Sequence, residues 1–217
     1  MSEPPRMIPP AEIGPATLTG QAVRLDPLRL DHIPLLLAAA SEERATYDWT
    51  LVPHDEAAMR EYVEGALELA ANQEAVPFAT VDLASGRVVG STRFANFEYL
   101  PWPGVGGPAE RGPDGVEIGW TWLAASAQRG PVNTEAKLLM LRHAFDYWGV
   151  RVVRLKTDRR NARSRAAIER IGGKLDGVLR GHTVGRDGAL RDTAFYSIME
   201  SEWPAVRASL EERVTRR

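Results

Sequence analysis

The residues of this chain that could do chemistry together are gathered in one turn, Gln128-Arg129-Gly130-Pro131-Val132-Asn133-Thr134. Residues 116–123 before it are rich in β-branched and aromatic side chains and read as a strand. After it, Val132, Ala136, Leu139, Met140, His143, Ala144 and Tyr147 recur at the spacing of one helix face. A glycine-containing turn between a strand and a helix aims unpaired backbone N–H groups above the helix N-terminus, which suits a phosphate or pyrophosphate. Pro131 fits the first helical position, where its missing N–H would have lacked a partner. It removes one donor and leaves the amides of Gly130, Val132, Asn133 and Thr134. Taken alone, the same turn also serves as an ordinary connection, because short glycine motifs are unspecific.

Other chemistries have less support. The 217 residues include no cysteine, which excludes disulfides, thiolate metal sites and a cysteine acyl-enzyme. His32, His54, His143 and His182 lie far apart without metal-ligand spacing, so no metal site is expected. With 27 basic and 29 acidic residues, the chain shows no general preference for nucleic acid or a membrane surface. The arginine-rich stretch 151–170 is interrupted by Asp158 and Glu169 and carries no stacking aromatics. The first residues lack a signal-peptide core, and no apolar run approaches the roughly 18 residues that span a bilayer. A cytoplasmic protein is expected.

The elements that must position the turn follow in order. Residues 1–17 carry five prolines and suggest an extended arm, free or lying on a partner subunit of a homodimer, before a single domain over 18–217. Residues 21–28 read as a strand, Asp31 as the N-cap of a helix through Ala40, and 55–71 as a second helix. Residues 76–83 and 87–97 form a hairpin, and the Pro/Gly-rich stretch 98–115 reads as a lid or binding loop. In the strand at 116–123, simple alternation puts Ile118, Trp120 and Trp122 on one face and Glu117, Thr121 and Leu123 on the other. Beyond the central helix come a strand at 151–157 and a helix capped by Asn161 and Ser164 that stops at Gly172-Gly173. Strands at 178–184 and 193–199 and a closing helix at 203–214 complete the chain.

This order, with a phosphate-type turn after the fourth strand, resembles the GNAT acyl-CoA N-acyltransferase superfamily over residues 23–203. Local pieces are similar to its ribosomal-protein N-terminal acetyltransferase branch: Glu117-Ile-Gly-Trp, Thr134-Glu-Ala, Ala144-Phe145, Asn161-x-x-Ser164 and Ile168-Glu-Arg-Ile-Gly172. Gly177-Val-Leu-Arg180, Arg191-Asp192, Tyr196-Ser-Ile and Glu202-Trp203 continue the series. Pro131 and Asn133 depart from it, standing where the family has small residues. The resemblance implies an α+β fold with a mixed, mostly antiparallel central sheet of about seven strands and helices on both faces.

It also implies acetyl-CoA as co-substrate and a primary amine, a small molecule or a peptide N-terminus, as acceptor. The pyrophosphate would sit on the amides of Gly130 to Thr134, with Arg129 adding charge and the pantetheine arm beside the Trp122-Leu123 backbone. Asn161 would fix the adjoining loop or touch the pantetheine. Ser164 matches a position that supplies a hydrogen bond or proton to the departing sulfur, and it also reads as part of a helix cap. Glu117 is the first choice for the base that takes the amine proton, or else a structural carboxylate; Glu98, Asp192 and Tyr196 are alternatives. Two other classes remain beside the enzyme: an acyl-CoA-binding or regulatory module with weak catalysis, and a nucleic-acid-binding protein, which the charge balance disfavours.

Overall fold

A computed structural model describes residues 13–102 and 111–216. Its strands are β1 (Leu18–Thr19), β2 (Val23–Pro27), β3 (Ala75–Asp82), β4 (Arg87–Glu98), β5 (Gly115–Leu123), β6 (Val152–Asp158), β7 (Lys174–Val184) and β8 (Leu190–Met199). Its α-helices are α1 (Ile33–Ala40), α2 (Glu56–Ala71), α3 (Val132–Arg142), α4 (Ala162–Arg170) and α5 (Trp203–Thr215). The strands form one sheet in the order β1-β2-β3-β4-β5-β6-β8-β7. Every neighbouring pair is antiparallel except β5 and β6. The mixed sheet and α+β class are as expected, with one strand more than anticipated, because two-residue β1 is too short to leave a pattern.

Adjacent residues of β4 show how the helices are layered. Ser91 accepts a hydrogen bond from Tyr62 of α2, whereas Thr92 accepts one from Lys137 of α3. Successive side chains point to opposite faces of a sheet, so α2 and α3 cover opposite sides. On the α3 side Phe94 packs at 4.6 Å from Trp148, both fully buried. Trp203, at the start of α5, stacks on Phe145 at 5.3 Å and donates to Asp146.

Several local expectations hold for local reasons. Asp55 caps α2 by accepting from Ala58 N–H, and Asn161 caps α4 by accepting from Ser164 N–H. Gly172 ends α4 at a φ of 99°, a conformation open to glycine. Asp31 is a correction: it lies in a 3-10 turn, is bonded to Arg29, and does not cap α1. β7 also begins earlier than expected, at Lys174. Glu135 of α3, buried, accepts the backbone N–H groups of Gln21, Ala22 and Val23 at 2.8, 2.6 and 3.0 Å and so ties β2 to α3.

Of the expected arm, residues 1–12 lie outside the described residues, while Ile13 packs against the chain's own core. Of the expected lid, 103–110 lie outside them. The ends of that loop are fixed by buried Asp114, which accepts from Leu100 N–H, Trp102 Nε1 and Arg111. Among the described residues no helix is long and apolar enough to cross a membrane.

Candidate active site

The parallel strands β5 and β6 pair only at Gly115↔Val152, Val116↔Val153 and Glu117↔Arg154. Beyond Glu117 the two strands part, while β6 keeps its pairing with β8 through Asp158. The cause lies in β5 itself. Arg93 pairs with Gly119 and Ser91 with Trp122, so Thr92 faces two residues, Trp120 and Thr121. This is a β-bulge, which bends and twists the strand that carries it, and Trp120 takes a φ of 50° to make it. A cleft opens between the second halves of β5 and β6.

The bulge reverses the expected alternation. Trp120 and Trp122 share the face of Glu117: Trp120 lies against Arg93 and Lys156, and Trp122 packs edge-on against Tyr47. Thr121 falls on the α3 face with Thr92, 2.8 Å from its hydroxyl. Lys137 donates to both hydroxyls, at 3.0 and 2.7 Å. Burial, with no carboxylate at hand, lowers its pKa to about 7.

At the open end of the cleft, β5 passes through a 3-10 turn, Ala125–Ala127, into the predicted anion turn and α3. The carbonyl of Leu123 accepts from Tyr47 Oη at 2.9 Å and from Gln128 Nε2 at 2.8 Å, so Gln128 clamps the turn onto the end of the strand. Pro131 has helical dihedrals and its carbonyl takes the first α3 bond, from Glu135 N–H. The amides of Arg129, Gly130, Val132, Asn133 and Thr134 donate to no acceptor among the described residues. Arg129 is exposed, with a φ of 61°, and forms no ion pair among them. Five free N–H groups around a helix N-terminus fit a pyrophosphate.

The opposite lip is the start of α4. Arg163 reaches Gln128 Oε1 at 3.4 Å and also bonds the carbonyl of Thr46, which brings Asn161 and Ser164 to the same mouth as the anion turn. Asn161 Oδ1 is engaged in its cap, whereas the Ser164 hydroxyl makes no hydrogen bond among the described residues.

Glu117 stands where the strands part. Its Oε2 accepts from Asn96 Nδ2 at 2.8 Å and pairs with Lys156 Nζ at 2.9 Å. Its Oε1 makes no hydrogen bond among the described residues and lies over Gly119, 2.8 Å from where a Cβ there would be. That explains a glycine two residues after the glutamate: the carboxylate occupies the room. The alternatives to Glu117 are engaged elsewhere. Glu98 pairs with Arg154, Asp192 with Arg159 and Gly181 N–H, and fully buried Tyr196 bonds Arg165 and Glu169. Lys156, Asn96, Tyr47 and Lys137 were not foreseen; each joins the site across strands or helices, where sequence spacing carries no signal.

A parallel pair that parts beside an unpaired helix N-terminus is the framework of an acyl-CoA-dependent acyltransferase. Residues 22–174 match the acetyltransferase (GNAT) domain family, and the chain belongs to it: it is an N-acetyltransferase with acetyl-CoA as donor. The fold is similar to that of a GCN5-related N-acetyltransferase from Brucella melitensis, with 30% identity and a TM-score of 0.75 over 92% of this chain and 85% of that one. It is also similar to Mycobacterium smegmatis RimJ in complex with a CoA-disulfide, with 21% identity and a TM-score of 0.72 over 92% and 93% of the two chains. A Salmonella typhimurium acetyltransferase that modifies the N-terminal serine of ribosomal protein L7/L12 shares the fold at 17% identity and a TM-score of 0.70, over 85% and 99%. No curated protein matches the chain in sequence.

Proposed function

We propose that acetyl-CoA lies in the cleft between β5 and β6 and that its acetyl group passes directly to a primary amine, on a small molecule or a peptide N-terminus. The carrying observation is the parting of the strands after Glu117↔Arg154, beside a turn with five amides that have no acceptor among the described residues. The pyrophosphate takes the amides of Arg129 to Thr134, and Arg129 adds charge beside it. The pantetheine runs along the unpaired edge of Trp122 and Leu123, toward Asn161. The Leu123 carbonyl is already bonded twice, so this strand end offers mainly its more N-terminal groups.

The amine nitrogen attacks the thioester carbon, and the carbon–sulfur bond breaks. Glu117 Oε1, the oxygen without a partner among the described residues, takes the amine proton directly or through one water, while Lys156 and Asn96 hold Oε2 in place. The free hydroxyl of Ser164 donates to the departing sulfur. No cysteine is present to carry the acetyl group, and Ser164 has no base bonded to it among the described residues, so no acetyl-enzyme forms. Mass spectrometry of enzyme incubated with acetyl-CoA alone should show no adduct. Thiol release should require an amine, and Glu117→Gln and Ser164→Ala should each slow it roughly 100-fold or more at nearly unchanged acetyl-CoA affinity. A stoichiometric acetyl adduct that an amine discharges would overturn direct transfer.

A further inference from the structure

The side chain of Arg93 of β4 is charged, 4% exposed and without a hydrogen bond or ion pair among the described residues. Its Nε is buried without a hydrogen-bond partner among them. Its Cζ lies 5.0 Å from the ring centre of Tyr62 and 5.0 Å from that of Trp120, and it forms no ion pair with a carboxylate among the described residues. Stacking satisfies part of the charge but uses none of the five N–H donors of the guanidinium. A buried cation left in this state costs several kcal/mol unless something pairs with it, on the order of the penalty for a lone buried charge.

The surroundings repeat the pattern. Arg191, half buried, also has an Nε without a partner, and it forms no ion pair among the described residues. Its pKa is lowered, chiefly by burial. The nearby carboxylates are already engaged: Glu117 by Lys156 and Asn96, Asp158 by Arg160. Among the described residues two guanidiniums near Glu117 are therefore left without a carboxylate partner. A cationic acceptor without an anionic group would meet like charge there.

Resting on the reading of Glu117 as the base, we propose that the acceptor amine also carries a carboxylate, which binds Arg93. The register sets the spacing: Arg93 pairs with Gly119, over which Glu117 Oε1 lies, and directly opposed positions on neighbouring strands have Cβ atoms roughly 4.5–5.5 Å apart on one face. That separation suits a carboxylate a few bonds from the amine, as in a free amino acid or an acidic residue at a peptide N-terminus. The guanidinium fork binds carboxylates side-on through paired N–H groups, which are the donors Arg93 leaves unused. Trp120, 41% exposed on its bulge, is the ring that lines the approach.

The test is a set of matched acceptors assayed by thiol release: free leucine and its decarboxylated counterpart 3-methylbutylamine, and peptides beginning with glutamate or glutamine. Wild type should favour the carboxylate member of at least one pair by roughly 30-fold or more in kcat/KM, the scale of one buried, hydrogen-bonded charge pair. Preference within the first pair identifies free amino acids, and within the second an acidic N-terminus. In Arg93→Gln that ratio should collapse toward one, and Arg93→Lys, which keeps the charge but loses the fork, should fall between. Equal use of both members of each pair by the wild type overturns the proposal without reference to any variant. So does an Arg93→Gln ratio equal to the wild-type ratio. Failure of acetyl-CoA to bind in calorimetry would instead remove the reading of the cleft on which the proposal rests.

Discussion

Lys137→Met should stabilise this enzyme and flatten its response to alkaline pH. The lysine is fully buried, with a pKa lowered to about 7 by burial, and its ammonium meets two threonine hydroxyls and the Met140 sulfur rather than an acid. In the unfolded chain a lysine titrates near 10.4. Below pH 7 both states hold the proton and the folded state bears the whole cost of the buried charge. Between about 7 and 10.4 the unfolded chain binds a proton that the folded chain has released, so stability rises with pH, by up to roughly 1.4 kcal/mol per unit. At pH 7 the shift corresponds to about 4 kcal/mol of destabilisation. Methionine keeps the unbranched stem and removes the charge. The hydrogen bonds lost to Thr92 and Thr121 return about 1 kcal/mol each, and the two hydroxyls retain each other. A net gain of about 2 kcal/mol at pH 7 follows, or a rise in Tm of roughly 4 to 8 °C for a chain of this size. Urea unfolding of both proteins at pH 6.5, 8 and 9.5 reads it, since the difference between them isolates this one group. A variant less stable at pH 7, or a difference that does not shrink as pH rises, would refute the reasoning.

Other outcomes follow from single contacts. Glu135→Ala leaves three backbone N–H groups without their acceptor and should cost about 2 to 4 kcal/mol, visible as a lower Tm in calorimetry. Gly119→Ala places a Cβ 2.8 Å from Glu117 Oε1 and should slow turnover about tenfold or more while acetyl-CoA still binds, which steady-state kinetics with calorimetry would check. Burial opposes ionisation of Asp114, but hydrogen bonds from Arg111, Leu100 N–H and Trp102 outweigh it and hold the carboxyl below its usual range. Its contribution is thus full above the unfolded value near 3.9 and is lost as pH falls below that through the native one. Asp114→Asn should lower stability at pH 7 and weaken the acid dependence below about pH 4, measured by acid unfolding curves.

What could be read from the sequence was what neighbouring residues decide. The turn at Gln128 to Thr134, the Asn161 cap and the stop at Gly172 each depend on residues within a few positions, and the structure places them as expected. Asp31 failed as a cap because its carboxylate is taken by Arg29 two residues before it, a competition that spacing does not resolve. The face assignment of Trp120 and Trp122 failed because one inserted residue reverses a period of two, and nothing in Glu-Ile-Gly-Trp announces a bulge. Glu117 was legible as an acid on a strand. Its pairing with Lys156 was not, because it depends on β5 lying beside β6 after an intervening helix.

The central claim is that the donor sits on the turn at the mouth of the parted strands. Backbone amide NMR of the labelled protein titrated with acetyl-CoA tests it directly, because the amides proposed to hold the pyrophosphate have no partner among the described residues. The resonances of Arg129, Gly130, Val132, Asn133 and Thr134 should show the largest shifts, with Trp122 and Leu123 following and the outer face of α2 unmoved. Saturable binding that leaves those five amides in place and shifts another surface would contradict the account.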